Sequence, residues 1–184
     1  DGELMADANQ AWDVHEASAM LDKLAPFNLA WLEEPIAADR PEREWRLIRD
    51  LADMPLAAGE NVQGDDQFAS WLQSDILGVV QPDLAKWGGL SRTVPLARQI
   101  LASGKRYCPH YLGGGIGLVA SAHALAAVGG DGMLEVVINA NPLRSELIGD
   151  LLSKQSSVAC LGDGPGLGYE PDFRAVEQYR VSYA

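Results

Sequence analysis

Short apolar runs alternate with longer amphipathic stretches along most of this chain. In the longer stretches, apolar residues recur every three or four positions, which is the spacing of one helix face. The pattern predicts helices over residues 14–24, 41–53, 65–73, 90–103 and 116–128. The apolar runs between them have the length of buried strands. Strands that alternate with helices in this way are typical of an α/β fold with a parallel sheet.

Ionisable residues stand at or just beyond the ends of these apolar runs, 23 to 27 positions apart. They are Asp7, Glu33, Glu60, Asp83, His110 and Glu135. A strand, a loop and a helix together need about 25 residues, so the spacing is that of successive βα units. In a (β/α)₈ barrel of the TIM type, the carboxyl ends of the strands converge on one face, where active sites lie. The sequence therefore predicts six reactive side chains around one rim.

The number of units falls short of a closed barrel. We count about six βα units, whereas a closed barrel of this type has eight. An arc of six strands would leave two open edges and an unfilled interior. We therefore expect that about two units, and anything that precedes them, are missing from this chain. Residues 139–184 are less regular, and 162–168 are predicted to form a loop.

Composition narrows the range of partners. The 184 residues are 47% hydrophobic and 22% charged, as in ordinary soluble globular proteins. The net charge of −12 argues against nucleic acid and anionic membranes as partners. Two cysteines, Cys108 and Cys160, suggest no disulfide framework and fit a reducing cytoplasm. No run is apolar enough to span a membrane and no signal peptide opens the chain, so we expect a cytoplasmic protein.

Six short motifs follow one another in the order of a known family. They are Asp7-Ala8-Asn9, Glu33-Glu34-Pro35, Gly59-Glu60-Asn61, Asp83-Leu84-Ala85-Lys86-Trp87-Gly88-Gly89, Pro109-His110 and Leu134-Glu135. In this order and at this spacing, the chain resembles the C-terminal barrel of the enolase superfamily, in its mandelate racemase/muconate lactonizing enzyme family. The resemblance implies barrel strands three to eight in residues 1–138, and a C-terminal extension in 139–184 that packs back toward the capping region. The first two βα units and the N-terminal capping domain of the family have no counterpart in the sequence.

The resemblance also implies a bound Mg²⁺ ion. In the family, the first three acids hold the metal, and they correspond to Asp7, Glu33 and Glu60 here. Mg²⁺ prefers hard oxygen ligands and acts as a Lewis acid on a substrate carboxylate, which stabilises the enediolate formed when the α-proton leaves. Any one of these acids alone would more often be a solvated loop residue or a helix cap. The ordered set of three favours the metal site.

Proton transfer is assigned to Asp83 and His110. They end adjacent strands, so a hydrogen bond between them would orient the imidazole and raise its pKa. The pair could remove an α-proton, or His110 could protonate a departing β-hydroxyl. By resemblance, Glu135 in its protonated form donates a hydrogen bond to the substrate carboxylate. Asn9 and Lys86 are expected to bind substrate or to support the site, with Lys86 balancing the acidic cluster.

These residues indicate a Mg²⁺-dependent lyase or racemase that acts on a small carboxylic acid. Our first choice is dehydration of an acid sugar, because the His–Asp pair suits both proton abstraction and loss of a hydroxyl group. The alternative reaction is racemisation or epimerisation of an α-hydroxy acid, whose second base would lie on the missing second strand. An alternative of another class is a catalytically incomplete structural remnant of the fold. We also expect a homo-oligomer.

Overall fold

A parallel sheet of five strands organises the computed structural model, which describes residues 2–149, 160–161 and 163–182. The strands lie in chain order, and each one pairs with the next. They are β1 (Ala6–Asp7), β2 (Leu32–Glu33), β3 (Leu56–Ala58), β4 (Leu77–Val80) and β5 (Arg106–Tyr107). Because all five run in the same direction, their carboxyl ends lie along one edge of the sheet.

Helices connect the strands, as the hydrophobic periodicity predicted. They are α1 (Val14–Leu24), α2 (Glu42–Leu51), α3 (Asp65–Gln73), α4 (Gly89–Ala102) and α5 (Gly115–Val128), followed by a shorter α6 (Pro142–Ile148) that packs on α5. Within the described part of the chain, 3₁₀ turns cover Ala25–Phe27 and Glu177–Tyr179. The five longer helices agree with the predicted ones to within two residues at each end.

The sheet has two different faces. Leu32, Leu56 and Val80 point into the main core, where they pack with helix residues such as Trp45 and Ile100. Residues of the opposite parity form a smaller cluster on the other face, comprising Trp31, Ala57, Val79 and Cys108. This separation follows from the alternation of side chains along a strand. A residue that lies two positions after a member of this smaller cluster, just beyond the end of a strand, is therefore directed to the same face.

The prediction of six strands is wrong by one. Residues 133–135, which were expected to form the strand before Glu135, are irregular, and within the described residues no backbone hydrogen bond joins them to β5. They are attached through side chains instead, because the backbone N–H of Met133 donates to Sγ of Cys108 at 3.4 Å. Across the described residues the sheet is open, with β1 and β5 at its edges.

The C-terminal part is mostly irregular, as expected. Residues 163–168 form bends and turns, which agrees with the predicted loop, while Gly162 lies outside the described residues. No helix among the residues that the structure describes is long and apolar enough to cross a bilayer.

Candidate active site

The predicted site residues gather at the carboxyl edge of the sheet. Asp7 and Glu33 are the last residues of β1 and β2. Glu60 lies two residues beyond the end of β3. Asp83 lies three residues beyond the end of β4, and His110 lies three residues beyond the end of β5. The parallel sheet thus converts the regular spacing in sequence into neighbouring positions in space.

His110 lies between two carboxylates. Its Nδ1 is 2.9 Å from Oδ2 of Asp83, and its Nε2 contacts Oε2 of Glu60. All three side chains are less than 10% exposed. The contact with Asp83 was expected, whereas the contact with Glu60 was not.

The contacts control ionisation in this cluster. Burial opposes the imidazolium, but hydrogen bonds to Asp83 and Glu60 outweigh it and raise the pKa of His110 to about 10. The hydrogen bond from His110 lowers the pKa of Glu60 to about 2. Burial also opposes ionisation of Asp83, but hydrogen bonds from His110 and from the backbone of Ala85 and Lys86 lower its pKa. These contacts therefore favour a charged imidazole between the two carboxylates.

Glu60 has two further polar neighbours. Nζ of Lys86 is 3.4 Å from its Oε2, and Nδ2 of Asn61 donates to its Oε1 at 2.9 Å. Asn61 also donates to the carboxylate of Glu34, which is only 1% exposed. Burial, partly offset by this bond, raises the pKa of Glu34 to about 7. Lys86 is thus placed where the acidic cluster needs positive charge.

Glu33 contacts Gln81, which directly follows β4, the strand after next in the sheet. Nε2 of Gln81 donates to Oε2 of Glu33 at 2.7 Å. Burial raises the pKa of Glu33; the bond from Gln81 partly offsets this, and the charge of Asp7 adds to it. Asp7 is exposed, and its Oδ1 accepts a hydrogen bond from the backbone N–H of Asn9. The side chain of Asn9 is exposed and is placed near the same strand end.

Glu135 faces the same region although it does not belong to a strand. Its Oε2 accepts a hydrogen bond from the backbone N–H of Tyr111 at 2.9 Å and lies 3.9 Å from Nε2 of His110. Burial raises its pKa, which favours the protonated form. The ring of Tyr111 occupies the space above Gly113 and Gly117, because a Cβ at either position would overlap its hydroxyl group. Gly113 and Gly117 therefore make room for this side chain.

A cavity of about 250 Å³ lies beside Asp7, Glu33 and Glu135. Its polar lining comes from Asp7, Glu33, Gln81 and Glu135, and its apolar lining comes mainly from the second face of the sheet. Cys108 lies in this lining as a buried thiol, and burial raises its pKa, so it is not prepared to act as a nucleophile. The cavity is of a size that admits a small organic acid.

The carboxylates of Asp7, Glu33 and Glu60 are suitable ligands for a divalent cation, but their side chains are not arranged around a common point. Asp7, Glu33 and Glu60 offer hard oxygen ligands, and the charge of Asp7 contributes to the raised pKa of Glu33. Within the described ranges, however, no three His, Cys, Asp or Glu side chains are grouped closely enough to hold a metal. Each of the three carboxylates is engaged with a protein donor instead.

The chain matches a known family over most of its length. Residues 1–176 match the family described as enolase C-terminal domain-like, and the chain belongs to it. The chain is 30% identical over 191 residues to D-galactarolactone cycloisomerase of Agrobacterium fabrum, a match that covers 98% of this chain and 50% of that protein. It thus spans about half the length of the curated relatives it matches.

Solved structures support the same family assignment. A mandelate racemase/muconate lactonizing enzyme from Bordetella bronchiseptica RB50 is 52% identical with a TM-score of 0.91, over 96% of this chain and 49% of that one. A variant of L-talarate/galactarate dehydratase liganded with Mg and L-glucarate is 27% identical with a TM-score of 0.81, over 95% of this chain and 42% of that one. The resemblance to the mandelate racemase/muconate lactonizing enzyme family is thereby confirmed.

Three polar residues of the site were missed by sequence reasoning: Glu34, Asn61 and Gln81. Strand alternation after Glu33 would turn Glu34 away from the site, but the chain leaves the strand there with a φ of 39°. Gln81 could have been found, because it continues the parity of Val79 and so belongs to the second face. Asn61 follows Glu60 directly and carried no periodic signal.

Proposed function

We propose that this chain carries the metal-binding and proton-transfer groups of an enolase-superfamily enzyme that removes the α-proton of a carboxylic acid, most simply in the dehydration of an acid sugar. The observation that carries the proposal is the position of His110, between Asp83 and Glu60 at the edge that also presents Asp7 and Glu33. An inert domain has no need of such a cluster, since burying charged groups is costly.

In the proposed fold, the five strands correspond to strands three to seven of a (β/α)₈ barrel. The irregular segment 133–135 takes the place of the eighth, and residues 139–184 form the C-terminal extension. Support comes from the parallel pairing in chain order and from the cluster on the second face, which corresponds to a barrel interior.

Asp7, Glu33 and Glu60 are the proposed Mg²⁺ ligands, because their carboxylates have suitable chemistry and share one edge of the sheet. When bound, Mg²⁺ would supply the positive charge that stabilises an enediolate form of the substrate. Support also comes from the Mg-liganded dehydratase to which the chain is similar.

In the proposed reaction, His110 reacts through Nε2, since Asp83 holds Nδ1. This step needs the neutral form of His110, which is favoured once Glu60 no longer holds Nε2. Nε2 then accepts the proton as the Cα–H bond breaks, and returns it to the β-hydroxyl as that C–O bond breaks. One water molecule leaves, the enol of a 2-keto acid remains, and His110 regains its starting state. Glu135, whose protonated form is favoured by burial, donates a hydrogen bond to the substrate carboxylate.

Calorimetric titration with Mg²⁺ tests the metal assignment. Glu60→Gln should weaken Mg²⁺ binding by about 100-fold or more, because it removes a charged ligand. Glu170→Gln, which makes the same change at an exposed site, should leave the affinity unaltered. Equal affinity in the wild-type protein and Glu60→Gln would overturn the assignment, and a folded wild-type protein that binds no Mg²⁺ would support the structural remnant.

A screen of acid sugars tests the reaction. Formation of a 2-keto acid from one of them would support dehydration. Inversion at the α-carbon without loss of water would favour the racemase or epimerase alternative.

A further inference from the structure

We propose that Gln81 is a positioning residue that fixes the Glu33 carboxylate and thereby sets the Mg²⁺ affinity of the site. This inference rests on the proposed function, in which Glu33 is a metal ligand. Gln81 itself does not touch the metal in this scheme.

The contact between Gln81 and Glu33 spans a strand. Glu33 ends β2 and Gln81 follows β4, so β3 lies between them. Nε2 of Gln81 nevertheless lies 2.7 Å from Oε2 of Glu33, and Gln81 is only 5% exposed. A hydrogen bond this short between a buried amide and a half-buried carboxylate restricts the rotation of the carboxylate.

The orientation of the Gln81 amide is determined by chemistry. An ionised carboxylate can only accept hydrogen bonds, so the NH₂ group must face Glu33. Oε1 is then directed elsewhere, and it is buried without a hydrogen-bond partner among the described residues. Leaving a buried acceptor unpaired is costly. The side chain therefore adopts an orientation that serves Glu33 at the expense of its own second polar atom.

Gly59 makes this arrangement possible. It follows β3 with a φ of 149°, and a Cβ at this position would lie 2.7 Å from backbone atoms of Gln81. The backbone N–H of Gln81 also donates to the carbonyl of Ala58 at 2.9 Å. The chain between Glu33 and Gln81 is thus kept free of a side chain, and the residue after Gly59 is Glu60, another proposed ligand.

The consequence for a cation concerns the two oxygens of Glu33. Gln81 occupies Oε2, which leaves Oε1 available for a metal. A neutral amide restrains the carboxylate and leaves its charge intact, whereas a lysine at this position would cancel that charge. Groups that orient a metal ligand in this way typically change metal affinity by 10- to 100-fold.

The test is a Mg²⁺ titration of Gln81→Met, which keeps the length of the side chain and removes the amide. We expect Mg²⁺ affinity to fall about 10- to 100-fold, while the unfolding temperature in EDTA stays close to that of the wild-type protein. Gln99→Met, the same change at an exposed position of α4, should leave the affinity unaltered. A merely structural role would lower the unfolding temperature in EDTA instead.

Coupling to Glu33 gives the decisive comparison. In a Glu33→Gln background, Gln81→Met should cause less than about a twofold further loss of Mg²⁺ affinity, because its partner is already altered. If Gln81→Met does not fold, Gln81→Asn, which is one methylene too short for this contact, replaces it. Wild-type affinity in a folded Gln81 variant would overturn the inference alone, whereas absence of Mg²⁺ binding by the wild-type protein would overturn the proposed function first.

Discussion

Nδ1 of His110 lies 2.9 Å from Oδ2 of Asp83, and both side chains are almost completely buried. The carboxylate fixes the plane of the ring and leaves Nε2 directed toward Glu60. In the proposed reaction, this relationship leaves Nε2 as the nitrogen that reacts, and the first two predictions depend on it.

Replacing His110 should stop proton exchange at the substrate. For an acid sugar whose α-hydrogen the wild-type enzyme exchanges with solvent deuterium, His110→Asn should abolish exchange on the face that the imidazole contacts. His15→Asn, on the exposed face of α1, is the control and should exchange at the wild-type rate. The exchange can be followed by proton NMR, and full exchange in His110→Asn would exclude His110 as the base.

Stability of the metal-free protein should fall at alkaline pH. The pKa of His110 is raised from 6.5 to about 10, so its contribution is complete below pH 6.5 and is lost as the pH rises through about 10. We expect a loss on the order of 3 kcal/mol in the free energy of unfolding across this window, measured by urea denaturation in EDTA. His110→Gln should flatten the curve.

Acid should have the opposite effect through the partner carboxylate. The pKa of Glu60 is lowered to about 2, so its contribution is present above pH 4.5 and is lost as the pH falls toward 2. Glu60→Gln should remove this part of the acid dependence. An unchanged pH profile in both variants would show that the His110–Glu60 contact does not form in solution.

Much of this site could be predicted from the sequence, because parallel strands place evenly spaced residues at one edge. The even spacing located Asp7, Glu33, Glu60, Asp83 and His110 correctly. It failed at Met133 and Leu134, whose apolar character marks a buried segment but does not distinguish a strand from a segment held by Cys108. The contact between Glu60 and His110 also escaped prediction, because side-chain rotamers decide which neighbours at a strand end meet.

Lys86 should weaken the binding of a cation. Its Nζ lies 3.4 Å from Oε2 of Glu60, so Lys86→Met removes a positive charge next to a proposed ligand. We expect Mg²⁺ affinity to increase about two- to fivefold, with less effect at high salt, and the free energy of unfolding to change by less than about 1 kcal/mol. Lys23→Met, at an exposed position of α1, serves as the control. Weaker Mg²⁺ binding by Lys86→Met would contradict this role.

A side chain at residue 59 should destabilise the protein strongly. Gly59→Ala combines a backbone conformation that alanine disfavours with overlap of the Gln81 backbone, so we expect a loss of about 3 kcal/mol or more. Gly64→Ala shares the positive φ, at 95°, but has open space around its Cβ, and should cost about 1 to 2 kcal/mol. Urea denaturation of both variants separates overlap from backbone strain, and equal losses would show that the close approach to Gln81 is unimportant.

The position of the Tyr111 ring above Gly117 has a consequence for protein engineering. Gly117 lies inside α5, where alanine would ordinarily stabilise a helix by about 0.5–1 kcal/mol. Here the added methyl group would displace the Tyr111 phenol, and the backbone N–H of Tyr111 is the group that holds Glu135. A routine thermostabilising substitution in a helix would therefore move the carboxyl group that is proposed to bind the substrate.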